Sequence, residues 1–145
     1  MTRIDADEAA HLPITTDHDV EERVAGLLQH AVRRQWWTLY LDADDVQMPL
    51  IMPMAGYPDR PDEPGGDEGT AAQLLADRLS VIVREVGAAK VVFVWERPGR
   101  AETTPADREW AGALAAACRA EGVVVRAQLI LHDRGVRWLA PDDYA

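Results

Sequence analysis

Residues 90–96, KVVFVWE, show no alternation of apolar and polar side chains, only a β-branched and aromatic run. Successive residues of a strand point to opposite faces, so a strand of this composition must be covered on both sides. It is predicted to be the central strand of a sheet, and the rest of the chain must then supply two covering layers. The run breaks at Pro98. The pattern resumes at TTPADREW, where Thr104 caps a helix, Pro105 takes its first position and Asp107 reaches back as in a capping box. Trp110, Ala113, Leu114, Ala117 and Cys118 form the inward stripe of that helix, and Gly122 ends it.

The other elements follow from the same reading. DVEERVAGLLQHAVRRQ places Val20, Val24, Leu27, Leu28, Ala31 and Val32 on one helical face, with acids at its start and Arg33 and Arg34 at its end. WWTLYLDADDVQMPLIMPM predicts two strands joined by a tight acidic turn, Asp42 to Asp45. Trp37, Leu39 and Leu41 alternate there against Trp36, Thr38 and Tyr40. Pro49 cannot donate a ladder hydrogen bond, which puts the second strand at a sheet edge or at a bulge.

A second helix carries Ala72, Leu75, Leu79, Ile82 and Val86 on its buried face and ends at Gly87. VVVRAQLILHDRGVRWLAP predicts a closing hairpin that turns at His132 to Gly135. The order is α-β-β-α-β-α-β-β, without an internal repeat. The expected fold class is α/β, with α+β as the neighbouring option: a single domain with a mixed sheet flanked by helices. Residues 1–18 are expected to be a flexible acidic arm and residues 19–145 the globular domain. AGYPDRPDEPGGDEGT, with three prolines, four glycines and five acids, is expected to be a mobile surface loop at about 55–69.

The formal net charge of −10 disfavours nucleic acid, whose binding rests on neutralised phosphates. Arg97, Arg100 and Arg108 make only a weak basic cluster against that field. Cys118 is the one cysteine, so no internal disulfide and no cysteine-based zinc cluster can form. Its place on the apolar helix face predicts a buried, inert thiol. No window approaches the roughly 18 apolar residues of a membrane span, and the first residues lack a signal-peptide core. A cytoplasmic protein is expected, with no membrane contact.

No nucleophile elbow, phosphate-binding loop or dinucleotide fingerprint occurs. His11, His18 and His30 stand at spacings unlike a metal motif. Five tryptophans beside one phenylalanine raise a second possibility: Trp36 or Trp138, if exposed near the Pro49 edge strand, would form a surface for a protein partner or a homodimer.

From Trp36 onward the order resembles the RadC-like branch of the JAB/MPN superfamily, best known for zinc-dependent isopeptidases. In that family a strand pair precedes a helix, a central strand ends in His-x-His-Pro, Ser-x-x-Asp opens the next helix, and a hairpin closes the sheet. Trp95 and Arg97 stand here at the two histidine places. Pro98 matches the proline, Thr104 replaces the serine and Asp107 matches the aspartate. The resemblance therefore implies the fold and a degenerate metal site: indole and guanidinium are not zinc ligands. No metal and no cofactor are expected.

The resulting expectation is a non-catalytic binding or assembly module. Its contact residues are Trp95, Glu96, Arg97, Arg100, Thr104, Asp107 and Arg108, at the end of a central strand, where α/β sheets tend to bind ligands. The alternative is an atypical hydrolase of isopeptidase or peptidase type that uses Glu96, Asp107 and His132. It requires those three side chains to converge.

Overall fold

A computed structural model describes residues 12–65 and 69–144. Its elements are α1 (Asp17–Leu28), β1 (Gln35–Leu41), β2 (Gln47–Ala55), α2 (Ala71–Val86), β3 (Lys90–Glu96), α3 (Pro105–Ala120), β4 (Val125–His132) and β5 (Gly135–Leu139), with a short 3₁₀ turn at Pro141–Asp143. The five strands form one sheet in the order β2-β1-β3-β4-β5. β3 and β4 pair in parallel, and every other neighbouring pair is antiparallel. β3 is therefore the central strand that its composition demands, with Val91 to Glu96 all buried. This is a single-domain α/β fold.

Strand alternation divides the interior into two cores. Trp36, Tyr40, Phe93, Trp95 and Ile130 face α2 and α3, meeting Leu75, Leu79, Trp110 and Leu114. Leu39, Leu41, Val92, Val94, Leu129 and Leu131 face α1, meeting Val20 and Val24. Each fully buried aliphatic side chain contributes roughly 1.5–3 kcal/mol through removal from water. The β1–β2 connection is the expected acidic turn: the Asp42 carboxylate accepts the N–H groups of Asp44 and Val46 at 2.8 and 3.1 Å. β2, with Pro49 and Pro53, lies at the sheet edge. Gly87 ends α2 at φ 73°, the left-handed region that a side chain disfavours.

Three expectations are corrected. The first helix ends at Leu28, so Ala31 to Arg34 do not belong to it, and Leu27 and Val32 are exposed. Gln29 leaves the helix at φ 64°, ψ −71°, and His30 N–H closes on Leu28 C=O at 2.8 Å. This positive-φ γ-turn is a strained geometry for any residue but glycine. It redirects the chain so that Ala31 N–H donates to His132 C=O at 2.8 Å.

The arm expected over 1–18 is tied down where the structure describes it. Pro13 bridges Val46, Ile14 N–H donates to Asp45 C=O at 2.9 Å, Ile14 is buried, and Thr16 caps α1. Residues 1–11 lie outside the described residues. Likewise, much of the 55–69 segment is anchored, although 66–68 are not described. Tyr57 is buried, and the amides of Ala71 and Ala72 donate to Glu63 and Pro61 carbonyls at 2.7 and 3.1 Å. Gly65 passes so close to Thr70 that a Cβ there would collide with the Thr70 carbonyl. Composition describes a solvent-facing segment; the structure adds one buried aromatic and a set of backbone bonds that join it to the domain.

Candidate functional site: the end of the central strand

The C-terminal end of β3 delivers three consecutive side chains to three different environments. Trp95 points into the α2/α3 core, where its indole donates to Gln128 Oε1 at 2.8 Å and Gln128 donates in turn to Ala111 C=O at 3.0 Å. Its ring stacks on Trp36 at 5.7 Å between centroids, and Tyr57 and Trp110 close the cluster edge-on to each other. Such aromatic pairs add about 0.5–1.5 kcal/mol each beyond area burial.

Glu96 points to the opposite face and is only 2% exposed. Its Oε2 accepts the backbone N–H groups of Val32 and Arg33 at 2.6 and 2.8 Å, and its Oε1 accepts Gln35 Nε2 and Trp37 Nε1 at 2.9 and 2.8 Å. Burial acts to raise the pKa of this carboxyl, but these donors outweigh it and hold the group below its ordinary value. The carboxylate is a structural anion whose lone pairs are occupied.

Arg97 lies just beyond the strand. Its Nε donates to both Asp107 oxygens at 3.1 and 3.2 Å, and Nη2 donates to Asp107 Oδ2 at 2.8 Å and to Glu102 C=O at 2.8 Å. Nη1 reaches Arg100 C=O. One guanidinium thus holds the 97–104 loop against the start of α3, a task suited to its rigid fork of donors. Thr104 and Asp107 form the expected reciprocal cap, at 3.1 and 2.9 Å. Arg100 and Arg108 are exposed on the same loop and helix turn, and Arg108 donates to Thr103 C=O at 3.3 Å.

Arg97, Thr104 and Asp107 are therefore brought together, whereas Glu96, Asp107 and His132 are not. Alternation from Val94 sends Glu96 toward α1, and alternation from Ile130 sends His132 toward the α2/α3 side. His132 is buried, and its Nδ1 accepts the Arg134 N–H at 3.2 Å. Burial, with Arg97 nearby, lowers its pKa. The donor set of Trp95, Arg97, Thr104 and Asp107 (an indole, a guanidinium, a hydroxyl and an engaged carboxylate) does not fit a zinc ion.

The exposed-tryptophan surface is also absent among the described residues. Trp36 is 2% exposed, Trp37 and Trp138 are half-buried, and Trp138 lies on β5, at the far edge from Pro49. The Pro49 strand exposes Met52 together with Pro49, Pro53 and Ala55.

Sequence reasoning missed Arg34 and Tyr57. The Arg34 guanidinium lies 3.6 Å from the Tyr57 ring centroid and donates to the carbonyls of Tyr57 and Pro58. Trp110 Nε1 donates to the same Pro58 C=O at 3.0 Å. A lone tyrosine inside a proline-rich acidic segment was the available signal, since a large aromatic side chain needs a place to be buried.

No model of a known protein family matches the chain, and no curated protein matches it in sequence. Among the described residues, no helix is long and apolar enough to cross a membrane.

Proposed function

We propose that the chain is a non-catalytic binding domain of the RadC-like JAB/MPN class, acting in the cytoplasm. It engages a protein partner through the 97–104 loop, which exposes Arg100, and the first turn of α3, which exposes Arg108; the buried Glu96 takes no part in that contact. The observation that supports this reading is the Arg97–Asp107 pair. Where the family holds a metal-ligating histidine and aspartate, this chain has a guanidinium whose donors occupy the carboxylate. That pairing spends the reactive group on fixing a loop, and the fixed loop presents Arg100 and Arg108 to solvent. A preorganised surface binds with less ordering cost than a mobile one.

The test is in-cell crosslinking of the wild-type chain and of an Arg100→Ala/Arg108→Ala variant, together with isopeptide and peptide hydrolysis assays of the wild type with zinc supplied. Expected are one recurrent crosslinked partner, its loss in the variant at unchanged melting temperature, and no turnover. Equal crosslinking of the variant removes the surface assignment, and zinc-dependent turnover removes the non-catalytic reading.

A further inference from the structure

A cleft of about 190 Å³ opens between the 55–65 segment and the start of α3, walled by Arg34, Tyr57, Trp95, Thr104, Ala106 and Trp110. The Arg97–Asp107 pair also lines it. Tyr57 is 7% exposed and its hydroxyl makes no hydrogen bond among the described residues; that oxygen is not fully enclosed, so a molecule in the cleft can reach it.

The remaining polar groups of the cleft divide into spent and unspent. The Asp107 oxygens take Arg97 and the Thr104 amide, and the Tyr57 and Pro58 carbonyls take Arg34 and Trp110. The acceptors bordering the pair are thus engaged. Unspent are donors: the Tyr57 O–H, the Thr104 O–H, whose oxygen already accepts Asp107 N–H at 3.1 Å, and the Ala106 N–H, which in the first helical turn has no intrahelical acceptor. The Tyr57 phenol is a donor at neutral pH at its ordinary value, and burial raises its pKa further. The start of α3 adds its partial positive charge. Asp59, the other carboxylate at the rim, is 95% exposed and lies 4.0 Å from Arg34. Donors at one end and indole walls at the other define the complement.

We infer that this cleft binds a small aromatic monocarboxylate. The carboxylate takes Tyr57 O–H, Thr104 O–H and Ala106 N–H, and the ring lies against Trp95 and Trp110. The ligand is a small molecule, so the inference stands or falls separately from partner capture by Arg100 and Arg108.

The test is titration of the full chain with benzoate, read by tryptophan fluorescence and by calorimetry, with benzyl alcohol as the uncharged twin. Expected are saturable benzoate binding below about 10 mM, a range where weak small-ligand affinities are still measurable, and no saturable binding of benzyl alcohol. Tyr57→Phe, which removes only the unpartnered hydroxyl, should weaken benzoate about tenfold or more at unchanged melting temperature. Ala106→Leu, which fills the cleft, should abolish binding. Absence of saturable benzoate binding, equal binding of both probes, or full affinity in Tyr57→Phe would each overturn the inference.

Discussion

Trp37 and Glu96 sit on neighbouring antiparallel strands, one diagonal step out of register, and the Trp37 indole donates to Glu96 Oε1 at 2.8 Å. Three further donors converge on the same carboxylate, so its charge belongs to the fold. Replacing it with an amide turns one oxygen into a donor that faces two donors. Glu96→Gln should cost about 2–4 kcal/mol, measured by urea denaturation. The pH dependence has a definite sign. The folded pKa lies below the ordinary value of 4.5, so the stabilisation is present above that value and disappears as pH falls through the lower folded pKa. Glu96→Gln should lack this acid-limb loss, and identical acid profiles would remove the assignment.

Arg97→Lys keeps the charge and discards the fork. A lysine ammonium cannot reach Asp107, Arg100 and Glu102 together, and the expected loss is about 2–3 kcal/mol. Arg97→Met leaves the carboxylate buried and uncompensated, at roughly 3–5 kcal/mol. Adding Asp107→Asn to Arg97→Met should recover part of this, because the amide oxygen still caps Thr104. Strict additivity in that double-mutant cycle would show the two side chains to be uncoupled.

Gln29 is exposed, so its replacement removes no packing, and it holds a backbone geometry that costs a side chain about 1–3 kcal/mol. Gln29→Gly should stabilise the domain by about 0.5–1 kcal/mol once the extra entropy of the unfolded chain is subtracted. A lower melting temperature would count against the strain.

Burial pushes the Cys118 thiol up to about 12. At neutral pH it is a protonated thiol with no surface exposure. A disulfide reagent should leave it unmodified in the native protein and label one thiol per chain in guanidinium. Rapid native labelling would mean that α3 detaches readily from the sheet.

Much of the architecture was legible because the signals were local. The apolar run of β3, the Thr104–Asp107 spacing, Gly87 after α2 and the turn before Gly135 each report a neighbouring backbone need, and the structure places each as expected. The end of α1 was not legible. Ala31 and Val32 keep helical spacing, but the N–H of Val32 is drawn to a glutamate 64 positions away, and periodicity carries no trace of such a partner. Tyr57 was hidden for the opposite reason: three prolines and five acids around it describe a loop's solvent side and say nothing about its one inward residue. At the site, sequence brought Arg97 and Asp107 to notice only through a resemblance of pattern, but their direct bond depends on where a loop folds back. The split of Glu96 from His132 follows only from which strands are neighbours.

The collar around Glu96 sets an order of assembly during synthesis. Gln35 and Trp37 wait for a partner 61 and 59 residues further along the chain. At roughly 5–20 residues per second, the first hairpin, complete at Ala55, spends about two to eight seconds without the strand that ends at Glu96. Through that interval two adjacent tryptophans and a methionine-rich edge have no cover. The prolines at 49 and 53 then serve the nascent chain as much as the finished one, because they deny a neighbouring polypeptide two of the amide hydrogens it would need to add a strand there.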